Sequence, residues 1–556
     1  MFLLNFCVQK ILFTIIAAVM ALGWVPTQLL ACIFPGSADL RNAAEFVDVV
    51  MRGAASEPGK KPDNPYFQAG DSEFTWQPGT HWTLGFAKQN LTDSADVRQG
   101  IAEGRYQVAG YSTLPSSDIL DDLYAKAIYL DDNTGRGGIL YAVVDCIGLS
   151  DTDAREIRAR VWEFAQQAGI RSIQIAATHV HSGIDTVGLW GQLPKDGKDD
   201  AFQQLLYDKT AQALRAAYEN RMDGDIYVSD NDVSPAIYDS RLPEVFDKKM
   251  TRFRFEPKNG SPDVYLLNAG CHPEIMGPGQ QVISADFPGY MAEYIRAYTC
   301  TACAGGDAAF DSTACDHAAG AETFFIQGAI GGLITVRDLE SVLTAAGQGN
   351  PGYGQTLVRG NGREFGQYAM GEAGRLSAEV QLPALLNIAS AEFSVPVENI
   401  ALICAAKLGV LNHGIYSVKF GKYAVPCELG YLRLGSRTEG ADVILLPGEP
   451  SPELAYGGFL TAADSPAGKA YPRDSLFALL EKTSFASSRQ LVFGMANNFT
   501  GYVIPENDFF LHTPFPYFNV TNDPMGRKHY EETVSCGPET ARVITEAFAE
   551  LLEGIL

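Results

Sequence analysis

Residues 139–183 have the sequence ILYAVVDCIGLSDTDAREIRARVWEFAQQAGIRSIQIAATHVHSG, in which a strand, a helix and a second strand follow one another. The apolar runs at 139–144 and 172–177 predict two buried strands. Between them, Asp151, Thr152 and Asp153 predict the cap of a helix that continues to about Ala168. This succession is typical of an α/β protein in which helices cover a sheet.

The same alternation continues along the rest of the chain. Helices are predicted at 201–221, 288–298, 363–380 and 539–552, and strands at 264–267, 323–327, 388–397, 443–446 and 491–495. We therefore expect one large, layered α/β domain that covers residues 71–556.

The composition excludes several classes of protein. Apolar residues make up 46% of the 556 residues, which is enough for a large core and excludes a mostly disordered chain. The 42 Lys and Arg residues stand against 66 Asp and Glu residues, so the formal net charge is −24. A surface this acidic repels nucleic-acid phosphates and anionic lipid headgroups. We therefore expect no nucleic-acid partner.

The first 32 residues predict export. One lysine, Lys10, precedes an apolar run that Pro26 ends, and the run has the length of a signal-peptide core. Residues 1–32 are therefore a signal peptide or an N-terminal membrane anchor, and the sequence LLAC at 29–32 resembles a loose lipobox that would place a lipid on Cys32. We expect a periplasmic, secreted or membrane-anchored protein in which residues 33–70 form a linker or surface segment.

A cysteine-containing insertion is predicted at about 299–322. Cys300, Cys303, Cys315 and His317 have the spacing C-x2-C-x11-C-x-H, which a zinc knuckle could use. In an exported protein, a disulfide or a structural role for these cysteines is the alternative that we favour.

Two histidines follow the second strand of the opening segment. In a strand, side chains two residues apart point the same way, so His179 and His181 are expected to face one site. That geometry suits two ligands of one metal, or one ligand and a neighbouring base. Two hydrogen-bonded polar histidines without a metal are the alternative. Asp185 follows too late for the pattern of metallo-β-lactamases.

Three further residues lie beside predicted strand ends. His272 follows the strand at 264–267, Glu449 lies in a rigid Pro-Gly-Glu-Pro turn, and Tyr502 follows the strand at 491–495. Such loops at strand ends carry the functional residues of many α/β proteins. The alternatives are a satisfied loop histidine, a glutamate in the first turn of a helix and a tyrosine of the core or rim.

Together these segments resemble the neutral (alkaline, non-lysosomal) ceramidases, zinc amidases that cleave the N-acyl bond of ceramide. The family has THTHSGP, HPxxM, SGDxxGY, PGE, YVTT, YEG and GPHT. In the same order this chain has THVHSGI (178–184), HPEIM (272–276), SADFPGY (284–290), PGE (447–449), YV (502–503), YE (530–531) and GPET (537–540). The likeness runs from about residue 75 to the C-terminus.

The resemblance implies an α/β catalytic domain that hydrolyses an amide with a zinc-activated water. It implies four zinc ligands, which are His179, His272, Glu449 and Tyr502. It also implies a catalytic set of His181, Tyr502, Ser284 and Asp286, in which His181 hydrogen-bonds the water or protonates the leaving amine. Ser284 and Asp286 would support the site. The substrate would be a small-molecule or lipid amide, met in solution or at a membrane surface.

Departures from the family pattern leave the substrate open. Val233 stands where the family has a substrate-binding arginine, and Gly332 stands where it has the aspartate of GDVSP. The family's C-terminal immunoglobulin-like domain is expected to be absent after the last helix. Ceramide, another N-acyl lipid or a related amide or ester all fit.

Two other functions remain open. One is a zinc esterase or phosphatase built on the His-x-His motif. The other is a non-catalytic exported lipid-binding relative. The remaining histidines, among them His529, are given no role, and we expect His529 at the surface.

Overall fold

The computed structural model describes residues 60–555 except 112, 192–195, 302–309, 311–319, 420, 484–485, 488 and 514–515. The predicted leader at 1–32, with Cys32, lies outside this range, as do residues 33–59 of the predicted linker. Cys303, Cys315 and His317 also lie outside it, whereas Cys300 is described and buried. The domain boundaries therefore stay predictions.

The described residues form the following strands in chain order. They are β1 (Trp82–Asn90), β2 (Gln107–Val108), β3 (Leu114–Pro115), β4 (Asp118–Ile119), β5 (Tyr124–Asp131), β6 (Ile139–Val144), β7 (Ser172–Ala177), β8 (Met222–Asp232), β9 (Ile237–Asp239), β10 (Lys249–Pro257), β11 (Val264–Ala269), β12 (Val282–Ile283), β13 (Glu322–Gln327), β14 (Ile334–Val336), β15 (Val380–Leu382), β16 (Leu386–Val397), β17 (Tyr416–Lys419), β18 (Lys422–Gly435), β19 (Gly440–Leu445), β20 (Glu449–Pro450), β21 (Gln490–Phe493), β22 (Tyr502–Val503), β23 (Thr521–Asn522) and β24 (Lys528–His529).

The helices of the same residues follow. They are α1 (Ala95–Ala102), α2 (Asp151–Gln167), α3 (Asp200–Glu219), α4 (Asp286–Thr299), α5 (Leu339–Gly347), α6 (Gly352–Met370), α7 (Ile400–Lys407), α8 (Pro452–Tyr456), α9 (Leu476–Glu481) and α10 (Thr540–Ile555). A 3₁₀ turn covers Glu531–Val534. None of these described helices combines the length and the apolar character needed to cross a bilayer.

Two mixed sheets organise the described part of the chain. The larger has the strand order β13–β11–β10–β8–β1–β5–β6–β7, with β15 joined to β8. Its parallel pairs are β6 with β7 and β11 with β13. The smaller has the order β16–β18–β19–β21, with β17 on β18, and β19 runs parallel to β21.

The two sheets pack face to face. Tyr141 and Val143 of β6 share one buried cluster with Leu432 of β18, Val443 of β19 and Leu491 of β21. The alternate residues of β6 face the other way, against α2 and α3. This double burial explains why residues 139–144 form an unbroken apolar run.

Helices cover both outer faces of this pair of sheets. Helices α2, α3, α4 and α6 lie on the larger sheet, and α8, α9 and α10 lie on the smaller one. The result is a four-layered arrangement of helix, sheet, sheet and helix. The predicted layered α/β class is confirmed.

Helix α2 begins as the sequence indicated, although with a different cap. Ser150, not an aspartate, is the N-cap, and its hydroxyl accepts a hydrogen bond from the Asp153 amide. The Asp153 carboxylate in turn accepts a hydrogen bond from the Ser150 amide, which completes a capping box. Asp151 and Asp153 occupy the first turn, where negative charge is favoured.

The helix predicted at 363–380 is wrong at both ends. Helix α6 covers Gly352–Met370 and ends because Gly371 takes the left-handed conformation, with φ of 80°. The glycines of α6 interrupt the apolar pattern, so the sequence did not reveal where this helix begins. A Cβ at Gly362 or Gly366 would lie 2.3–2.4 Å from the side chain of Tyr290 or Tyr294 in α4, so these glycines permit close helix packing.

Candidate metal centre

Loops from both sheets meet at one place. His179 follows β7, His272 follows β11, and Glu449 follows β19. Glu449 pairs with Tyr502 in the short parallel ladder of β20 and β22. Four residues that lie far apart in the sequence are thus brought together at the ends of strands from two sheets.

The strand-alternation argument for His179 and His181 is wrong, because β7 ends at Ala177. His179 has a φ of 66°, a left-handed conformation that is uncommon for a residue with a Cβ. The rings nevertheless face each other, with 3.2 Å between their Nε2 atoms. Such strained backbone is typical of functional sites, and here it turns His179 toward His181.

Three histidines and one carboxylate converge. Ligand atoms of His179, His181 and His272 all lie within 4.8 Å of one another, a spacing that could hold one metal ion. Glu449 Oε2 lies 3.4 Å from His179 Nε2 and 3.2 Å from His272 Nε2. His179, His272 and Glu449 are buried, and His181 is partly exposed.

Backbone carbonyls fix two of the rings. Nδ1 of His179 donates to the Ile147 carbonyl at 2.7 Å, and Nδ1 of His272 donates to the Ile334 carbonyl at 3.0 Å. A carbonyl only accepts, so both Nδ1 atoms carry hydrogen, and a ring without a second hydrogen would present an Nε2 lone pair to Glu449. Lone pairs that face a buried carboxylate require a positive charge between them, supplied by a proton or a metal ion. The donor set of imidazole nitrogens and a carboxylate oxygen fits zinc.

The pKa shifts of Glu449 and His181 describe the form in which protons on His179 and His272 supply that positive charge. Burial raises the pKa of Glu449, but attraction to His179 and hydrogen bonds to His179 and His272 hold that pKa below its usual value. Burial, followed by the charges of His179 and His272, lowers the pKa of His181 well below its usual value. The site therefore concentrates negative charge on Glu449 and keeps His181 neutral.

Tyr502 borders the same space. Its hydroxyl lies 2.8 Å from the hydroxyl of Tyr530. Burial, and next the charge of Glu449, raises the pKa of Tyr502 well above its usual value. The phenol is therefore neutral in this arrangement, with its oxygen directed to Tyr530.

Ser284 and Asp286 hold the two histidine loops together. Ser284 exchanges hydrogen bonds with Ser182, through its amide and its carbonyl, each at 3.0 Å. Asp286 accepts a hydrogen bond from the Met276 amide at 3.0 Å, and burial raises the pKa of Asp286 to about 6. The Ser284 hydroxyl donates to Asp121. The hydrogen bonds of this pair thus support the loops of His181 and His272.

Gln327 was missed in the sequence. It ends β13, and its side-chain amide donates to the carbonyls of Thr178 at 3.1 Å and Cys271 at 2.7 Å. These residues precede His179 and His272. One buried side chain thus connects both histidine loops, and its only sequence signal is a polar residue at the end of an apolar strand.

Glu274 was also missed, although it lies within the quoted HPEIM segment. Its Oε1 accepts the Thr335 hydroxyl at 2.6 Å, and its Oε2 accepts the Tyr111 hydroxyl. Oε2 also faces Nδ1 of His181 at 4.0 Å. A buried carboxylate therefore stands behind His181, on the side away from His179.

His529 is buried, contrary to the expected surface position. Its Nδ1 lies 2.7 Å from Glu532 and 3.2 Å from the guanidinium of Arg241. Arg241 also pairs with Asp508 and Glu531. His529 and Glu531 of this charged network flank Tyr530 in the sequence.

The two positions that depart from the ceramidase motifs have structural roles. Val233 is fully buried, and the segment with Gly332 leads to Ile334, whose carbonyl accepts a hydrogen bond from His272.

A narrow apolar cleft lies next to the centre. Its walls include Val187, Leu402, Leu411, Val534 and Phe499. The Phe499 ring is 5.8 Å from the His179 ring, so the cleft ends close to the histidines. An apolar group fits this space better than a polar one.

The fold is shared with two solved structures. No protein-family model and no curated protein matches the sequence. The crystal structure of neutral ceramidase from Pseudomonas aeruginosa aligns over 85% of this chain and 74% of its own, with a TM-score of 0.57 and 14% identity. A ceramidase complexed with C2 aligns over the same shares, with a TM-score of 0.56 and 14% identity. The neutral-ceramidase-like fold expected from the motifs is thus confirmed.

Proposed function

We propose that this protein is a zinc-dependent hydrolase that cleaves an amide, or N-acyl, bond. The observation that carries the proposal is the meeting of His179, His272 and Glu449, with both Nδ1 atoms bound by carbonyls and both Nε2 atoms directed at one carboxylate. The fold shared with neutral ceramidases supports the amide as the bond that is cleaved.

The proposed ion is held by His179, His272 and Glu449. His181 and Tyr502 are further candidates for holding it, and a catalytic zinc site would leave room for water. When bound, zinc would lower the pKa of that water and polarise the scissile carbonyl. Ser284 and Asp286 keep the two histidine loops in place through Ser182 and Met276.

An N-acyl lipid is the proposed substrate class. The apolar cleft ends at Phe499, next to His179, and places apolar surface beside the centre. The acidic net charge of −24 disfavours anionic substrates and leaves neutral or zwitterionic lipids as the better match. Membrane contact and a lipid partner are parts of this proposal.

Metal content tests the centre directly. We expect about one zinc ion per chain in the purified protein, and a clear loss in His272→Ala and in Glu449→Ala. His81→Ala is the matched control, because His81 lies just before β1, beside Asp223 of β8 and away from the centre. A wild-type protein that binds no zinc after reconstitution would refute the proposal.

A substrate panel separates the proposed activity from the other functions. The panel contains N-acyl amides with ceramide among them, a carboxylic ester and a phosphoester. We expect turnover of an amide that disappears in Glu449→Ala. Cleavage of the ester or phosphoester alone would assign an esterase or phosphatase, and zinc binding with lipid binding but no turnover would assign a non-catalytic relative.

We further propose that the protein is exported through residues 1–32. Mass spectrometry of the mature N-terminus after expression with the full leader tests this. An intact leader in a cytoplasmic fraction would contradict export, and a lipid on Cys32 would select the anchored form.

A further inference from the structure

Glu274 is held rigidly although it is not one of the expected ligands. Its side chain is buried, and each carboxylate oxygen accepts a hydroxyl, from Thr335 and from Tyr111. The Tyr111 ring also packs on the His181 ring, with 5.3 Å between centroids. The two hydroxyls therefore hold the carboxylate in place next to His181.

His181 is the third imidazole of the centre, and its two nitrogens have different surroundings. Nε2 faces His179 Nε2 at 3.2 Å, whereas Nδ1 faces Glu274 Oε2 at 4.0 Å. Among the described residues Nδ1 has no hydrogen-bond partner, although it is buried. A small rotation of the ring, or one bridging water, would join Nδ1 to the carboxylate.

We propose that Glu274 is a positioning residue that keeps the hydrogen of His181 on Nδ1 and thereby makes Nε2 a third imidazole ligand of the metal. A carboxylate behind a ligating imidazole fixes the ring and raises its affinity for the ion. The backbone supports the same geometry, because the His181 amide donates to the Pro273 carbonyl at 3.0 Å and ties the two loops together. This inference rests on the proposed function, because it assigns ligands to the same centre.

Metal affinity provides the first test, independent of turnover. Metal-free protein is titrated with Zn²⁺ against a competing chelator, for wild type, Glu274→Gln, His181→Ala and the double variant. We expect Glu274→Gln to bind zinc about 10–100-fold more weakly. In the His181→Ala background the same change should have little further effect, because Glu274 acts through His181. Glu453→Gln, which alters another buried glutamate, should bind zinc as wild type does.

A second measurement reports the position of the hydrogen itself. Nitrogen NMR of ¹⁵N-histidine-labelled, metal-free protein should show the His181 hydrogen on Nδ1 in wild type and a shift toward Nε2 in Glu274→Gln. If Glu274→Gln does not fold, Thr335→Val takes its place, since it removes one hydrogen bond from the carboxylate and should weaken zinc binding to a smaller extent.

The outcomes separate this inference from the proposed function. An equal loss of zinc affinity with and without His181, or a His181 hydrogen on Nε2 in wild type, overturns the role of Glu274 and leaves the hydrolase untouched. A wild-type protein that binds zinc but cleaves no amide refutes the function and leaves the role of Glu274 standing. A wild-type protein that binds no zinc overturns both.

Discussion

Asp121, which lies beside Ser284, makes the stability of the protein depend on pH. It accepts hydrogen bonds from the Ser284 hydroxyl and the Ala285 amide, yet burial raises its pKa to about 8. In the unfolded chain an aspartate releases its proton near pH 3.9. Between about pH 4 and pH 8 the folded protein therefore holds one proton more than the unfolded chain.

Stability should therefore fall as pH rises through that window, by at most about 1.4 kcal/mol per pH unit from this group. We expect Asp121→Asn to remove this part of the slope, so that the variant gains stability over wild type as pH rises. Urea unfolding at several pH values between about 5 and 8 measures it. Asp122→Asn, in the same loop and paired with Arg98, is the control and should keep the wild-type slope. An unchanged slope in Asp121→Asn would contradict the buried, protonated state.

Gln327 allows a second test at the residue scale. Gln327→Met keeps the volume but leaves the carbonyls of Thr178 and Cys271 without their donor. We expect a loss of about 1–3 kcal/mol in the free energy of unfolding, together with weaker zinc binding. Gln381→Met, on the exposed face of β15, serves as the control in both measurements. Unchanged zinc affinity would show that the loops hold their positions without Gln327.

The sequence predicted the expected zinc ligands better than it predicted the residues that hold the ligand loops in place. His179, His272 and Glu449 stand in short motifs at predicted strand ends, so their motifs could be recognised and their meeting expected. Gln327 and Glu274 act through contacts between loops that only the packed sheets bring together. The left-handed conformation of His179 was likewise beyond a strand-period argument.

At the scale of elements, one buried ion pair joins the layers. Arg158 of α2 makes two bonds to Glu428 of β18, at 2.5 and 2.8 Å, and a third to Asn497 at 2.9 Å. Asn497 lies two residues before Phe499, which faces His179. The pair therefore ties a helix on the larger sheet to the smaller sheet beside the centre.

We expect Arg158→Met to destabilise the fold by about 3–5 kcal/mol, because Glu428 then stays buried and unpaired. The double variant Arg158→Met with Glu428→Met should be more stable than Arg158→Met alone, since it removes the stranded charge. Urea unfolding measures both. Arg337→Met, in a half-exposed pair with Glu364, should cost about 1 kcal/mol or less. A double variant less stable than the single one would contradict this account.

Elements differed in how readily the sequence revealed them. Strand β6 was clear because both of its faces are buried in apolar surroundings. Strand β18 was missed, because it contains Pro426 and the charged residues Glu428 and Arg433. Those charges are buried only because Arg158 and Asp442 pair with them. A pattern of apolar residues cannot reveal a strand whose polar residues find partners in other layers.

At the scale of the whole molecule, the layered α/β class followed from the strand–helix alternation, whereas the division into two sheets did not. The alternation predicts helices on a sheet and leaves the order of strands open. The order depends on long-range pairing, such as β1 between β8 and β5. The order of the strands is set by how both faces of each sheet pack, and a single sequence does not display this packing.

The net charge of −24 gives a prediction for the molecule as a whole. In sedimentation with vesicles, we expect less binding to anionic vesicles than to zwitterionic ones at low salt, because like charges repel. Added salt should reduce the difference, since it screens charges beyond about 10 Å at 0.1 M. Stronger binding to anionic vesicles at low salt would reveal a local basic surface that dominates the average.

The contribution of both sheets to the centre has a consequence for biosynthesis. His179 and His272 follow strands of the larger sheet, whereas Glu449 follows the smaller sheet, which is completed only by β21. A nascent polypeptide that has emerged as far as β13 therefore carries histidines but not the carboxylate that faces them. Because domains fold during and after synthesis from the N-terminus onward, the metal centre is completed last. Binding of the proposed ion is then expected to be a late event in maturation.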